Sequence, residues 1–292
     1  MDFLQAIILG IIQGLTEFLP ISSTGHMVIM EHLLGVKVES DILLAVALHM
    51  GTLVAIFVAF KNDVKYLLIE KCRMISDIFQ NAKILLHNKK DDDARRYIKI
   101  VNNNYRKFMI MIMASTIATA VIAIILRPLA TQSTHSLLAT GTGMLITAVF
   151  LLVVSLTKMG KKVPLDIDVK VAFIVGIFQG CAVLPGISRL GITIAICLLC
   201  GFSQRFATKY SLILAIPTLI GAGLVTIATI PKDNFTFVGF LIYLVAIVVA
   251  AIVGTVCIKF SYRLIKKQRL KYFAGYCFVI GIITIIYHFL KM

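Results

Sequence analysis

Long apolar runs alternate with short polar, lysine-rich stretches along the whole chain. Six runs of about 20 residues are long enough to cross the hydrocarbon of a bilayer as helices. They fall at 42–60, 108–126, 137–157, 210–230, 237–258 and 272–290. Two more apolar stretches, 3–34 and 171–200, are interrupted at Pro20 and at Pro185-Gly186. Proline removes a backbone donor and clashes with the preceding turn. Each interrupted stretch is therefore expected as a helix-break-helix hairpin that enters the membrane and returns. Such backbone is tolerated at membrane depth only where protein buries it or where it lines a wet cavity. The pattern predicts an all-α polytopic membrane protein, a single integral domain over 1–292, with six transmembrane helices and two re-entrant hairpins.

The interrupted stretches are near-repeats. Gly10-Ile-Ile-Gln-Gly14 and Pro20-Ile-Ser-Ser-Thr-Gly-His26 frame the first, and Gly176-Ile-Phe-Gln-Gly180 and Pro185-Gly-Ile-Ser-Arg-Leu-Gly191 the second. An ungapped offset of 166 residues superposes Gly10 on Gly176, Gln13 on Gln179, Ser22 on Ser188 and Gly25 on Gly191. Two broken helices at matching places are the usual way to build one binding site at the membrane midplane.

Charge orients the chain. Of the 29 Lys and Arg, all but Lys37, Arg127, Arg189, Lys232 and Lys291 lie in 61–107, 158–170, 201–209 and 259–271. The positive-inside rule reads these segments as cytoplasmic. The net charge of +15 then needs no nucleic-acid partner. The hairpin 3–34 opens outside, the hairpin 171–200 opens to the cytoplasm, and both termini lie outside. The halves 1–160, with the insertion 61–107, and 161–292 thus form an inverted-topology repeat. Within the insertion, Tyr66-Leu-Leu-Ile69 and Ile84-Leu-Leu86 suggest a pair of amphipathic surface helices, broken at Asn102-Asn-Asn104; a solvated linker is the alternative. A hydrophobic content of 59% and a mean hydropathy of +0.96 agree with a membrane chain. The start Met-Asp lacks the basic flank of a signal peptide and is expected to be retained. The six Cys form no metal-ligand set, and Cys197-Leu-Leu-Cys200 reads as packing.

Four kinds of group inside the hairpins have chemistry. Glu17 is the one acid in the apolar interior of the first hairpin, where a charge costs about 2.5–3.5 kcal/mol. Ser22, Ser23, Thr24, Gly25 and His26 follow the Pro20 break. One serine is explained by capping the returning helix; its N-terminus also favours an anion. His26, close to a serine, has the chemistry of a base or a nucleophile. Arg189 is the one Lys or Arg in either hairpin. It follows Gly186 and Ser188 and offers a donor fork suited to phosphate. A structural partnership with Glu17 would account for it equally well. Brought to one midplane site, these groups bind an anion, and a phosphate at that depth belongs to a lipid.

These residues resemble the undecaprenyl-diphosphate phosphatase, or bacitracin-resistance, family over essentially the whole chain. Gln13-Gly-Leu-Thr-Glu17-Phe-Leu-Pro20-Ile-Ser-Ser-Thr-Gly-His26 is similar to the first family signature, and Pro185-Gly-Ile-Ser-Arg-Leu-Gly191 to the second. Leu48-His-Met-Gly-Thr-Leu-Val54 and Leu214-Ala-Ile-Pro217 also resemble family sequence. The resemblance implies removal of the terminal phosphate from undecaprenyl diphosphate, which recycles the carrier for peptidoglycan and other envelope polymers. It implies a bacterial plasma membrane, a site toward the outer face and a divalent cation, Mg²⁺ or Ca²⁺. It carries over Glu17, Ser23, His26, Ser188 and Arg189 as the catalytic set. Ser22, Thr24, Gly25, Gly186 and Thr193 lie around the phosphate, and Glu17 and Gln13 at the metal. The chain departs from the pattern at Leu190, where the second signature has serine, at Lys209, where an acid is usual, and at Gln13, which cannot ionise. Expected partners are the polyprenyl diphosphate, membrane lipids and a second copy in a homodimer. The rival readings are an inverted-repeat secondary transporter and a lipid-phosphate flippase, neither of which releases phosphate.

Overall fold

The computed structural model describes residues 2–35, 42–89, 93–158, 160–227, 237–265 and 267–291. The described residues are helical throughout their ordered elements, with one isolated bridge, Lys162 to Phe202, in place of any strand. The first interrupted stretch is α1 (Phe3–Thr16) and α2 (Ser23–Leu34), and the second is α7 (Val169–Gly180) and α8 (Arg189–Leu199). At 14, 12, 12 and 11 residues, these helices rise only about 17–21 Å each, short of a bilayer core of about 30 Å. Both stretches are thus broken where proline breaks them.

The expected spans appear as α3 (Ile42–Ala59), α5 (Asn104–Ser133), α6 (Leu137–Leu156), α9 (Gln204–Ile227), α10 (Phe237–Leu264) and α11 (Lys267–Leu290). Five are long and apolar enough to cross a membrane by themselves, and α3, with its bent continuation α4 (Lys61–His87), makes up to six. Positions 228–230 of the expected span 210–230 lie outside the described residues. Outward-facing side chains such as Ile124 and Phe237 are largely exposed, as a lipid-facing surface requires.

Helix α1 lies on α10 and α7 on α5, while α6 pairs with α11 and α3 packs on α10 and α9. The glycines of the near-repeat make those approaches. A Cβ on Gly14 would stand 2.9 Å from the Ala250 carbonyl oxygen, and one on Gly176 would stand 2.3 Å from that of Ser115. Small residues four apart let membrane helices meet backbone to backbone. The glycine spacing at the start of each near-repeat therefore serves helix packing.

The insertion 61–107 differs from the expected helix pair. It is one long helix, α4, turned 84° from α3, followed by a non-helical return. Asparagine side chains act as the clamps that a second helix would have made. Asn81 donates to the Ile98 carbonyl and accepts from its amide, both at 2.8 Å, and Asn88 does the same with Arg95 at 2.9 Å. Arg106, buried at the start of α5, reaches Glu70 at 2.8 Å and Asp77 at 2.5 Å. Two acids one face apart on α4 thus close on one guanidinium, which fixes α4 against α5. Asn103 caps α5, so that helix starts at Asn104, earlier than the apolar run indicates.

Candidate active site

The two breaks touch. A Cβ on Gly25, in the first turn of α2, would lie 3.1 Å from the Gly186 Cα. Gly186 itself has φ 82°, and a side chain there would run into the Thr140 carbonyl of α6. Only glycine combines that backbone with that approach. Thr147 of α6 props the second break from behind: its hydroxyl accepts from the Ser188 amide at 2.9 Å and donates to the Gly143 carbonyl at 3.0 Å.

Ser22 and Ser188 both become helix N-caps, as the offset pairs them. The Ser22 hydroxyl accepts from the Gly25 amide at 3.1 Å, and the Ser188 hydroxyl from the Gly191 amide at 3.0 Å. The caps differ in backbone. Ser188 is extended, with φ −76°, whereas Ser22 has φ 71°, a conformation L-residues rarely adopt. Strain of that kind collects at sites whose surroundings enforce it. Thr24 lies 3.2 Å from the Ser22 hydroxyl.

Across the junction, Arg189 at the start of α8 donates through Nη2 to Glu17 Oε1. Glu17 Oε2 accepts from Gln13 Nε2 at 3.1 Å, one turn back along α1. The Ser23 hydroxyl sits beside the same carboxylate, near enough to interact with it, and His49 of α3 is also a neighbour. The other guanidinium nitrogen of Arg189 donates to the Thr218 hydroxyl at 3.0 Å and reaches the Ala215 carbonyl. Glu17 is 4% exposed in its side chain and Arg189 21%, so the carboxylate is sealed while the arginine keeps an open edge.

His26 points elsewhere. Its Nδ1 lies 2.6 Å from the Ser22 carbonyl oxygen, which can only accept, so Nδ1 carries the hydrogen. In the neutral ring Nε2 then accepts from the Tyr276 hydroxyl at 2.8 Å, and the two rings stack 5.7 Å apart and 4° from parallel. Both nitrogens are engaged, and His26 hydrogen-bonds neither Ser23 nor Glu17 in this geometry. It opens instead onto an apolar groove of about 490 Å³ between α1, α2 and α11, walled by Ile12, Leu15, Leu19, Met30 and Phe273.

The structure therefore gathers Gln13, Glu17, Ser23, Arg189, Gly25 and Gly186 at one place, with Ser22, Thr24 and Ser188 on its rim. It sets Thr193 apart. That residue is fully buried, and its hydroxyl donates to the Arg189 carbonyl at 2.6 Å, within 3.3 Å of Gln179. Leu190 packs into the apolar core. Lys209 pairs instead with Asp63 at the α3–α4 bend. Thr218, Thr147 and Tyr276 were not singled out from sequence. Thr218 follows the Leu214-Ala-Ile-Pro217 stretch directly; Tyr276 carries no local signal at all, being 250 residues from its partner.

The donors at Glu17 and Gln13 amount to one carboxylate and one amide. Among the described residues no three of His, Cys, Asp and Glu cluster into a metal site. The pair fits a hard cation of the Mg²⁺ type only when phosphate oxygens and water complete the shell, which is how that ion is commonly bound.

Residues 6–283 match the family described as bacitracin resistance protein BacA. The chain is similar to an undecaprenyl-diphosphatase of Alkaliphilus metalliredigens (34% identity over 290 residues, 99% of this chain and 100% of the relative). It is also similar to one of Methanosphaera stadtmanae (38% over 287 residues, 98% of each) and one of Desulforapulum autotrophicum (35% over 291 residues, 98% of each). With its two signatures meeting at a buried Glu17–Arg189 pair, and a match running through nearly its whole length, this multi-pass membrane chain belongs to the BacA family.

Proposed function

We propose that the chain hydrolyses undecaprenyl diphosphate to undecaprenyl phosphate and inorganic phosphate where the two breaks touch. Family membership, with the activity named for full-length relatives, carries the reaction. The observation that carries the site is the Glu17–Arg189 contact beside Ser23. The family is named for bacitracin resistance.

In this reading the terminal phosphate takes the open edge of the Arg189 guanidinium and the free amides at the start of α2 and α8. Arg189 shifts from Glu17 to the phosphate, and the released carboxylate accepts the Ser23 proton. The Ser23 oxygen attacks the terminal phosphorus; the bond to the bridging oxygen breaks, and its electron pair leaves with undecaprenyl phosphate. Water then cleaves the phosphoserine and yields inorganic phosphate. Glu17 and Gln13 would hold a divalent cation together with the diphosphate, and the cation supplies charge neutralisation there. The groove beside His26 receives the first isoprene units, since its walls are apolar.

A second reading rests on the His26 tautomer. The Ser22 carbonyl leaves Nε2 as the lone-pair nitrogen, so His26 is poised to attack phosphorus once Tyr276 yields. Trapping the phosphorylated enzyme separates the two, because phosphoserine survives acid and phosphohistidine does not. Acid-stable label on Ser23 is expected. His26→Ala should lower phosphate release by roughly 10²–10⁴-fold if His26 handles protons or phosphate, and Tyr276→Phe by much less. Normal release by Arg189→Ala would overturn the site. Transport of the lipid with no phosphate release by the wild-type chain would overturn the reaction in favour of a transporter or flippase.

The matched sets α1–α3 and α7–α9 support an inverted repeat of 1–160 and 161–292. The lysine-rich segments then lie in the cytoplasm, and the termini and the site face the outer side of the plasma membrane.

A further inference from the structure

We propose that α4 lies in the membrane surface and seats an anionic phospholipid at its junction with α3. The 84° bend at Phe60 turns α4 sharply away from the axis of α3, an apolar helix of the membrane core. One face of α4 is accounted for: Glu70, Asp77, Asn81 and Asn88 hold Arg106 and the return segment. On the opposite face Leu68, Ile75, Phe79 and Leu86 recur at intervals of seven, four and seven, a single helical stripe. They are 58%, 44%, 67% and 63% exposed, the reverse of what water would select. Lys65 and Lys83 flank the stripe on one side and Lys71 on the other, all exposed. An apolar stripe edged by lysines is the pattern of a helix sunk into the headgroup boundary, its lysine stems reaching up to the phosphates.

At the bend the stripe deepens into a pocket of about 400 Å³. Phe57, Val64, Leu68 and Ile69 make its apolar wall, and Lys61 and Lys65 stand at its edge. Two ammonium groups one turn apart over an apolar slot match one lipid chemistry, a phosphate headgroup with its acyl chain below. The occupant is a phospholipid of the surrounding bilayer with net negative charge, not a soluble anion, which would leave the slot empty.

The chain contains no tryptophan, so one introduced residue reports alone. In nanodiscs, Phe79→Trp should emit blue-shifted light that lipids brominated in their acyl chains quench. Tyr97→Trp, on the return segment behind α4, should stay solvent-like and unquenched. Solvent-like emission from Phe79→Trp overturns the proposal. So does a blue shift without bromolipid quenching, which would place a second copy on the stripe. For the seat, native mass spectrometry of detergent-extracted protein should find phosphatidylglycerol retained in preference to phosphatidylcholine. Each lysine removed in Lys61→Gln and Lys65→Gln should lower that retention roughly fivefold. Unchanged retention in the double variant overturns the seat. None of these positions touches Glu17, Ser23 or Arg189, so phosphate release should persist in every variant and serves as the folding control. A failure here leaves the proposed reaction standing.

Discussion

Glu17 and Arg189 lie 172 residues apart and meet as an ion pair whose carboxylate is sealed and whose guanidinium keeps an open edge. Removing one partner of such a pair costs about 3–5 kcal/mol, because the other stays charged in a poor solvent. Neutral replacement of both is far milder. We therefore predict that Arg189→Ala loses both thermal stability and turnover, the latter by roughly 10²–10³-fold. Glu17→Gln/Arg189→Met should recover most of the melting temperature and none of the turnover. Unfolding scans in detergent beside phosphate release from undecaprenyl diphosphate check this; a single Arg189→Ala variant as stable as the parent would mean the pair does not form. Both residues are legible in sequence, since a charge within an apolar run has few explanations. Their contact is legible only as an alternative. The engagement of His26 by Tyr276 is not legible, for nothing near Tyr276 distinguishes it from an interfacial tyrosine.

Among the elements, α4 best exposes the limits of pattern reading. Its amphipathic character is visible in the residues around Tyr66 and Ile84, but the expected second helix is replaced by a return held by asparagine amides. No hydrophobic period encodes that. Its docking depends on ionisation. The Arg106 guanidinium, then the Asn103 amide, hold the Glu70 carboxyl down from its ordinary 4.5 to about 2. A carboxyl depressed in the folded state stabilises it fully above its unfolded value and loses that contribution as pH falls toward the folded one. The α4–α5 contact should thus be intact at neutral pH and loosen between pH 4.5 and about 2. Hydrogen exchange over 61–106 at stepped pH should record this, and Glu70→Gln should be looser at neutral pH, with a flatter profile. The broken elements behaved more simply. Proline and the cap serines act within a few residues, so both breaks fall where the sequence places them, although the φ of 71° at Ser22 carries no local mark.

For the whole molecule, the proposed inverted repeat makes a directional claim. With the lysine-rich segments inside, a cysteine in place of Tyr97 should react with an impermeant maleimide only after the inner face is opened. A cysteine in place of Lys291 should react in intact cells. Labelling of both from the same side would overturn the arrangement. The two near-repeated stretches carry unequal chemistry. Gln13 and Gln179 occupy matching positions, yet Gln13 supports Glu17, whereas Gln179 donates to Thr119 at 3.1 Å. The difference follows from the next turn, where the first half has Glu17 and the second Val183.

What the amino-acid order determined alone was everything that depends on transfer from water to lipid or on a few adjacent backbone groups. That covers the spans, the breaks at Pro20 and Pro185, a serine cap after the first break, and the presence of charges that demand a partner. Only the tertiary structure decided which partner each demanded: Arg189 for Glu17, Tyr276 for His26, Arg106 for Glu70. The cost of burying a polar group is written in the sequence, since it belongs to the residue. The group that offsets it is chosen by how helices pack, and that choice depends on contacts between segments far apart in the chain.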